Sequence, residues 1–293
     1  MTQSKLEIHI DKFIKAPPME VWRHLTDPDK FFATFVGVKF PDGFATGKLA
    51  RVESCEEQGF VYCEEATPGK RLAFRWNYDV ELAKTFSREQ STLVEFLLIE
   101  QDGGTLLKFS ETEFENLPED IQQKSFDQVN YGWPTMFDNF RDMVPRGEDA
   151  WLVAQWYGLI PAPVEEVWEF VSNFRIFSEL VKFEGEVKPG STVMLDFGQY
   201  GKGPALITKA EPNVELAFRS YPSPNEDTTV DQERSTLTQF MMMPMEGGTW
   251  FIARESEFDR IPAQGRRETF KGQQEGWNLC GAHIEKSFRK EEK

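Results

Sequence analysis

The chain has 293 residues, of which 40% are hydrophobic and 14% aromatic, with 26 Phe and 8 Trp; this is the composition of a folded, aromatic-rich protein, not a disordered one. Forty-nine acidic against 33 basic residues give a formal net charge of -16, and a surface that repels phosphate backbones and anionic headgroups argues against nucleic-acid and membrane partners. No apolar run reaches the length of a membrane span and the N-terminus lacks a signal-peptide stretch, so a cytoplasmic location is expected.

Residues 5–14, KLEIHIDKFI, alternate as a strand, and Pro17-Pro18 stop it and open a helix over 19–27 with Val21, Trp22 and Leu25 on one face. Strand-like runs follow at 47–54, 59–66, 71–78, 91–100 and 105–114, with turn signals at Pro68-Gly69 and Asp102-Gly103. A long helical segment ends the series, with Trp133, Phe137, Phe140 and Val144 at helical spacing. The stretch MVPRGEDAW, 143–151, reads as a short linker. Then the order begins again, with Pro163 ahead of a helix presenting Val167, Trp168 and Val171.

The two halves repeat each other in sequence. EQSTL (89–93) returns as ERSTL (233–237), LAFR (72–75) as LAFR (216–219), GGT (103–105) as GGT (247–249) and ETEF (111–114) as ESEF (255–258), each 144 positions on. IKAPPMEVW (14–22) returns as IPAPVEEVW (160–168), 146 positions on. A period this long means whole domains and not solenoid units, which span about 20–50 residues. Two domains are expected, at 1–145 and 150–293.

Taken together, APPMEVWRHLTDP (16–28), RLAFRW (71–76), GGTLLKFSETEF (103–114) and the helix holding Gly132-Trp133 resemble the heat-shock-protein-90 ATPase activator homologue family. That family lies in the START-like, helix-grip superfamily, also called SRPBCC, and the resemblance runs through nearly all of both copies. It implies an α+β fold of two tandem helix-grip domains, each a curved antiparallel sheet wrapped around a long C-terminal helix with a cavity between them. Members of the superfamily bind lipids, hormones or polyketides in that cavity, and a minority carry out cyclisation or hydrolysis, so fold does not fix function. The eukaryotic activators carry a separate N-terminal domain with no evident counterpart here, and co-chaperone activity is not carried over.

Leu107, Phe109, Glu111 and Glu113 alternate to one face, and if Leu107 and Phe109 face inward Glu111 enters the cavity with them; Phe251, Ala253, Glu255 and Glu257 do the same in the second copy. A carboxyl against aromatic rings has a raised pKa and suits acid-base work. The alternative places both glutamates at a frayed strand end, in water or paired with an arginine such as Arg141. The family often has His at these two positions, so no catalytic role is carried over and the catalytic residues stay unknown. Arg75 and Arg219 are expected on a solvated outer face, and Trp22, Trp133, Trp168 and Trp277 in the core.

Between copies Phe137 becomes Gly281, Phe109 becomes Ala253 and Phe140 becomes Ile284, which points to a larger second cavity near Ala253 and Gly281; Leu107 to Phe251 and Val144 to Phe288 run the other way, and the alternative is a pocket that has only moved. The expected ligand-binding set is therefore Leu107, Phe109, Glu111, Trp133, Phe137, Phe251, Ala253, Glu255, Trp277 and Gly281. The methionine run QFMMMPME is read as core packing. Cys55, Cys63 and Cys280 match no metal or redox spacing; they are read as free thiols, with a Cys55–Cys63 bridge as the alternative. No cofactor fingerprint or metal-ligand spacing appears around His9, His24 or His283, so neither cofactor nor metal is expected.

The leading expectation is a non-catalytic protein that binds a small apolar molecule. The alternatives are a cyclase- or hydrolase-type enzyme using a cavity Glu, and a chaperone-linked or other regulatory module for a protein partner.

Overall fold

Proline sets the first corner of each half. Pro17 and Pro163 hold extended backbone at φ -61° and -58°, which ends one strand and pre-sets the first turn of the helix behind it. The computed structural model describes residues 5–34, 38–54, 57–77, 80–178, 181–222 and 228–289. It divides into two units, 1–147 and 148–293.

In the first unit, β1 (Ile8–Ile14), α1 (Pro18–Leu25) and α2 (Pro28–Thr34) come before a meander: β2 (Val38–Lys39), β3 (Leu49–Ser54), β4 (Glu57–Thr67) and β5 (Arg71–Trp76). A short α3 (Val80–Lys84), then β6 (Thr92–Gln101), β7 (Gly104–Thr112) and the long α4 (Glu119–Met143) complete it. The second unit runs β8 (Ala154–Ile160), α5 (Val164–Ser172), β9 (Lys182–Glu184), β10 (Thr192–Asp196), β11 (Lys202–Glu211) and β12 (Glu215–Ser220). It closes with β13 (Thr236–Met245), β14 (Gly248–Ser256) and α6 (Arg266–Phe288). The short α2, α3, β2 and β9 go beyond the sequence reading, being too brief to show a period.

Each unit is one seven-stranded antiparallel sheet, ordered β1-β7-β6-β5-β4-β3-β2 and β8-β14-β13-β12-β11-β10-β9. The first strand of each unit pairs with the last, so the meander returns beside its own start. Both sheets carry a bulge at the same station, between Cys63 and Glu65 and between Ile207 and Lys209. Such an extra residue bends a strand and raises its twist. The β6–β7 hairpin turns on Asp102 and Gly103, both at positive φ (50° and 73°), the backbone that a two-residue hairpin loop of this Asp-Gly type demands.

The strand period decides what faces the long helix. On β7 Leu107, Phe109 and Glu111 are buried while Lys108 is exposed; on α4 Val129, Trp133, Met136, Phe137 and Phe140 are buried, and Trp133 and Phe137 meet that face. Phe109 lies 4.5 Å from Trp133 and 4.9 Å from Phe137 between ring centroids, spacings at which tilted aromatic pairs add to area burial. This is the helix-grip arrangement expected from the sequence, and it occurs twice.

Several finer expectations are amended. Trp133 and Trp277 are buried, whereas Trp22 and Trp168 are only half-buried. Met241 and Met242 are buried, but Met243 and Met245, nearer the hairpin end of the strand, are only partly so. Cys63 and Cys280 are free thiols; the bridge to Cys55 falls outside the described residues. No helix among the described residues is long and apolar enough to cross a membrane.

Candidate functional site

Glu111 and Glu255 occupy the same inward station on the last strand of each sheet, 1% and 3% exposed. In the first unit one carboxylate oxygen, Oε1, accepts hydrogen bonds from Thr92 Oγ1 at 2.7 Å and Trp76 Nε1 at 2.9 Å. The other, Oε2, accepts from Trp133 Nε1 at 2.5 Å. In the second unit Glu255 Oε1 accepts from Thr236 Oγ1 at 2.7 Å and Oε2 from Trp277 Nε1 at 3.0 Å. Burial pushes both carboxyls above their ordinary value, against the pull of these donors.

The frayed-end reading of these two residues is therefore corrected. Arg141 does not approach Glu111; it pairs with Asp138 and Asp142 on its own helix. The residues that do leave the inward face are Glu113 and Glu257. Both sit just past the strand in left-handed backbone, at φ 67° and 66°, and reach Arg75 (2.8 Å) and Arg219 (2.6 Å). Arg75 also binds Glu64, and neither arginine is freely solvated as the sequence alone suggests: their side chains are 11% and 12% exposed, Arg75 paired with two carboxylates and Arg219 with one.

A cavity of about 310 Å³ opens in the second unit between sheet and helix. Phe177, Leu195, Phe197, Phe218 and Trp277 give it apolar walls, and Glu255, Thr238, Ser220 and Gln273 supply polar atoms. Cys280 also lines it, with its thiol pushed up to about 11 by burial and hence neutral.

The register explains why the cavity opens here. Ser220 pairs with Thr236 at the end of β12 as Trp76 pairs with Thr92 at the end of β5. Where the first unit places an indole against its buried glutamate, the second places a hydroxymethyl group. The rings that contact Trp76, Trp133 at 5.8 Å and Phe74 at 6.1 Å, correspond to Trp277 and Phe218 in the cavity wall.

The cavity does not lie where the aromatic losses point. A Cβ on Gly281 would fall 2.2 Å from Trp156 Nε1, so the indole of Trp156 fills the space that Phe137 takes in the first unit. Trp156 pairs with Ala253 across β8 and β14, whereas Ile10 pairs with Phe109 across β1 and β7. Large and small have changed strands, and the Trp156 indole takes up the space beside Gly281.

Of the ten residues expected at a ligand, Glu255 and Trp277 line this cavity; Phe251, Ala253 and Gly281 are buried in the packing beside it. Leu107, Phe109, Glu111, Trp133 and Phe137 are buried in the first unit. The sequence reading missed Ser220, and the signal was present in the aligned repeats: Trp76 in RLAFRW stands against Ser220 in ELAFRS.

Comparison with known proteins gives a family match over the first unit. Residues 15–144 match the family described as Activator of Hsp90 ATPase homolog 1-like protein. The match spans the greater part of the first unit and bears out the resemblance seen in its motifs; the second unit repeats the first in sequence and strand order. No curated protein matches the chain. Among solved structures, DynU16 from the dynemicin biosynthetic locus is 16% identical, covers 97% of this chain and 99% of its own, and has a TM-score of 0.38. The di-domain ARO/CYC BexL from the BE-7585A biosynthetic pathway is 12% identical over 97% of this chain and 99% of its own, with a TM-score of 0.39. MLL2253 from Mesorhizobium loti is 20% identical over 48% of this chain and 98% of its own, also with a TM-score of 0.39.

Proposed function

We propose that the second unit binds one small, mainly apolar molecule in its cavity, with Glu255 and Trp277 in contact with it. In this reading the domains are residues 1–145 and 150–293, and the first is kept closed by its own side chains. One observation carries the reading: the cavity beside Glu255, whose volume of about 310 Å³ falls at the lower bound of small-molecule sites, about 300–1,000 Å³. Aromatic walls with a few convergent polar groups are the usual make-up of such sites.

Native mass spectrometry of the purified protein tests this. A single small-molecule adduct per chain that is lost in Ser220→Trp supports it. An adduct that survives Ser220→Trp counts against it, as does a bare chain that no apolar compound stabilises in a thermal-shift screen.

The burial of Glu255 favours a second reading, proton transfer to a bound molecule. A carboxyl held above its ordinary pKa in a cavity wall can give up a proton nearer neutral pH than a solvated one. Turnover that Glu255→Gln abolishes, with binding retained, would distinguish an enzyme from a carrier.

A further inference from the structure

The first unit holds a covalent likeness of what the second would bind. Trp76 ends β5 with its indole N–H on Glu111 Oε1, and that oxygen has a second donor in Thr92. Ser220 ends β12 in the same register, and the supporting bonds are reproduced around it. Thr236 Oγ1 reaches Glu255 Oε1 at 2.7 Å and the carbonyl of Ser220 at 3.2 Å, as Thr92 Oγ1 reaches Glu111 Oε1 at 2.7 Å and the carbonyl of Trp76 at 3.4 Å.

From this hydrogen-bonded set only the indole N–H is missing; the ring of Phe177, 5.8 Å from Trp277, forms another wall of the cavity. Among the described residues Glu255 Oε1 accepts one hydrogen bond where Glu111 Oε1 accepts two. A carboxyl oxygen has two lone pairs, so Oε1 can accept a second donor, and Glu255 lines a cavity bounded by the counterparts of the residues around Trp76. From this we infer that the ligand of the second unit is a planar aromatic molecule bearing an N–H or O–H group, which docks that donor on Glu255 Oε1 with its ring between Trp277 and Phe218. The inference rests on the ligand-binding reading above and narrows it to a chemical class. Cys280 in place of Met136 trims the wall beyond the ring station and leaves room for a substituent on the ring.

Calorimetric titration of the full chain with indole, 1-methylindole and naphthalene tests it, with Ser220→Trp as the blocked variant. Methylation removes the donor and keeps the two-ring shape, while naphthalene reports apolar capacity alone. Indole should bind at one site, about tenfold more tightly than 1-methylindole, the scale of a single hydrogen bond in a dry site. Ser220→Trp should abolish that binding.

Equal affinity for indole and 1-methylindole, both lost in Ser220→Trp, would overturn the donor requirement and leave the apolar-ligand reading standing. Failure of all three compounds to bind would remove both. Indole binding that persists in Ser220→Trp would place it elsewhere and likewise overturn the inference. Should Ser220→Trp misfold, as circular dichroism would reveal, Ser220→Leu fills the same space without a donor and is scored the same way.

Discussion

Trp76 and Ser220 stand at one station in two copies of the same domain, and the buried glutamate beside each differs by the hydrogen bond that the indole donates. Sheet, register, bulge and supporting threonine are shared, so this difference can be tested with little else changed.

Trp76→Ser should open a void in the first unit and leave Glu111 short of a donor. Truncating a buried aromatic costs about 3–5 kcal/mol, and urea unfolding should show that loss in the first unit. Added indole should recover part of it, as a loose ring returning to the place of the tethered one.

Glu111→Gln should change how stability depends on pH. In the unfolded chain a glutamate loses its proton near its ordinary value of about 4.3. Burial makes the folded carboxyl keep its proton to higher pH. Between those two values the folded state binds more protons, so the stabilisation is complete below the ordinary value and is lost as pH rises through the raised one. Glutamine has no proton to lose. Urea midpoints measured across this range should show the variant gaining on wild type as pH increases; parallel curves would mean that Glu111 titrates like a solvated carboxyl.

Glu113 combines an ion pair with left-handed backbone, and two substitutions separate the two effects. Glu113→Ala and Glu113→Gly both lose Arg75, but only alanine keeps a Cβ at φ 67°. The glycine variant should be the more stable by about 1 kcal/mol. Equal stabilities in chemical denaturation would show that the turn is not strained.

Gly281→Ala should be destabilising by about 1–3 kcal/mol, because its new methyl meets the ring of Trp156. Paired with Trp156→Ile, the residue type of the first unit's Ile10, the penalty should shrink. A double-mutant cycle that gives simple additivity would refute the contact.

Much of the architecture can be read directly from the sequence. The 144-position repeat, the proline corners, the strand runs and the long final helices all rest on local chemistry, which a chain displays without its partners. The inward turn of Glu111 and Glu255 also follows from alternation, although whether such a carboxyl is buried depends on the covering helix and on tryptophans from distant segments. Glu113 departs from the alternation because its backbone flips at the strand end, and a residue's φ leaves no mark on periodicity.

The cavity was harder to place because volume is a property of neighbours. Comparing Phe137 with Gly281 and Phe109 with Ala253 gives the right losses and the wrong location, since Trp156 enters from a strand some 100 positions away and takes up the space. The comparison that does locate the cavity, Trp76 against Ser220, comes directly after four identical residues, LAFR in both halves, where a dissimilar position is easily overlooked.

The duplication also bears on how such a protein can change. Tryptophan has one codon, TGG, and it differs by one base from the serine codon TCG. After a gene is doubled, a single point mutation at this station suffices to empty or refill one copy, while the other preserves the parental arrangement in the same polypeptide. A domain with tryptophan at this station and one with serine are therefore neighbours in mutational space, and selection can act on one copy without endangering the other.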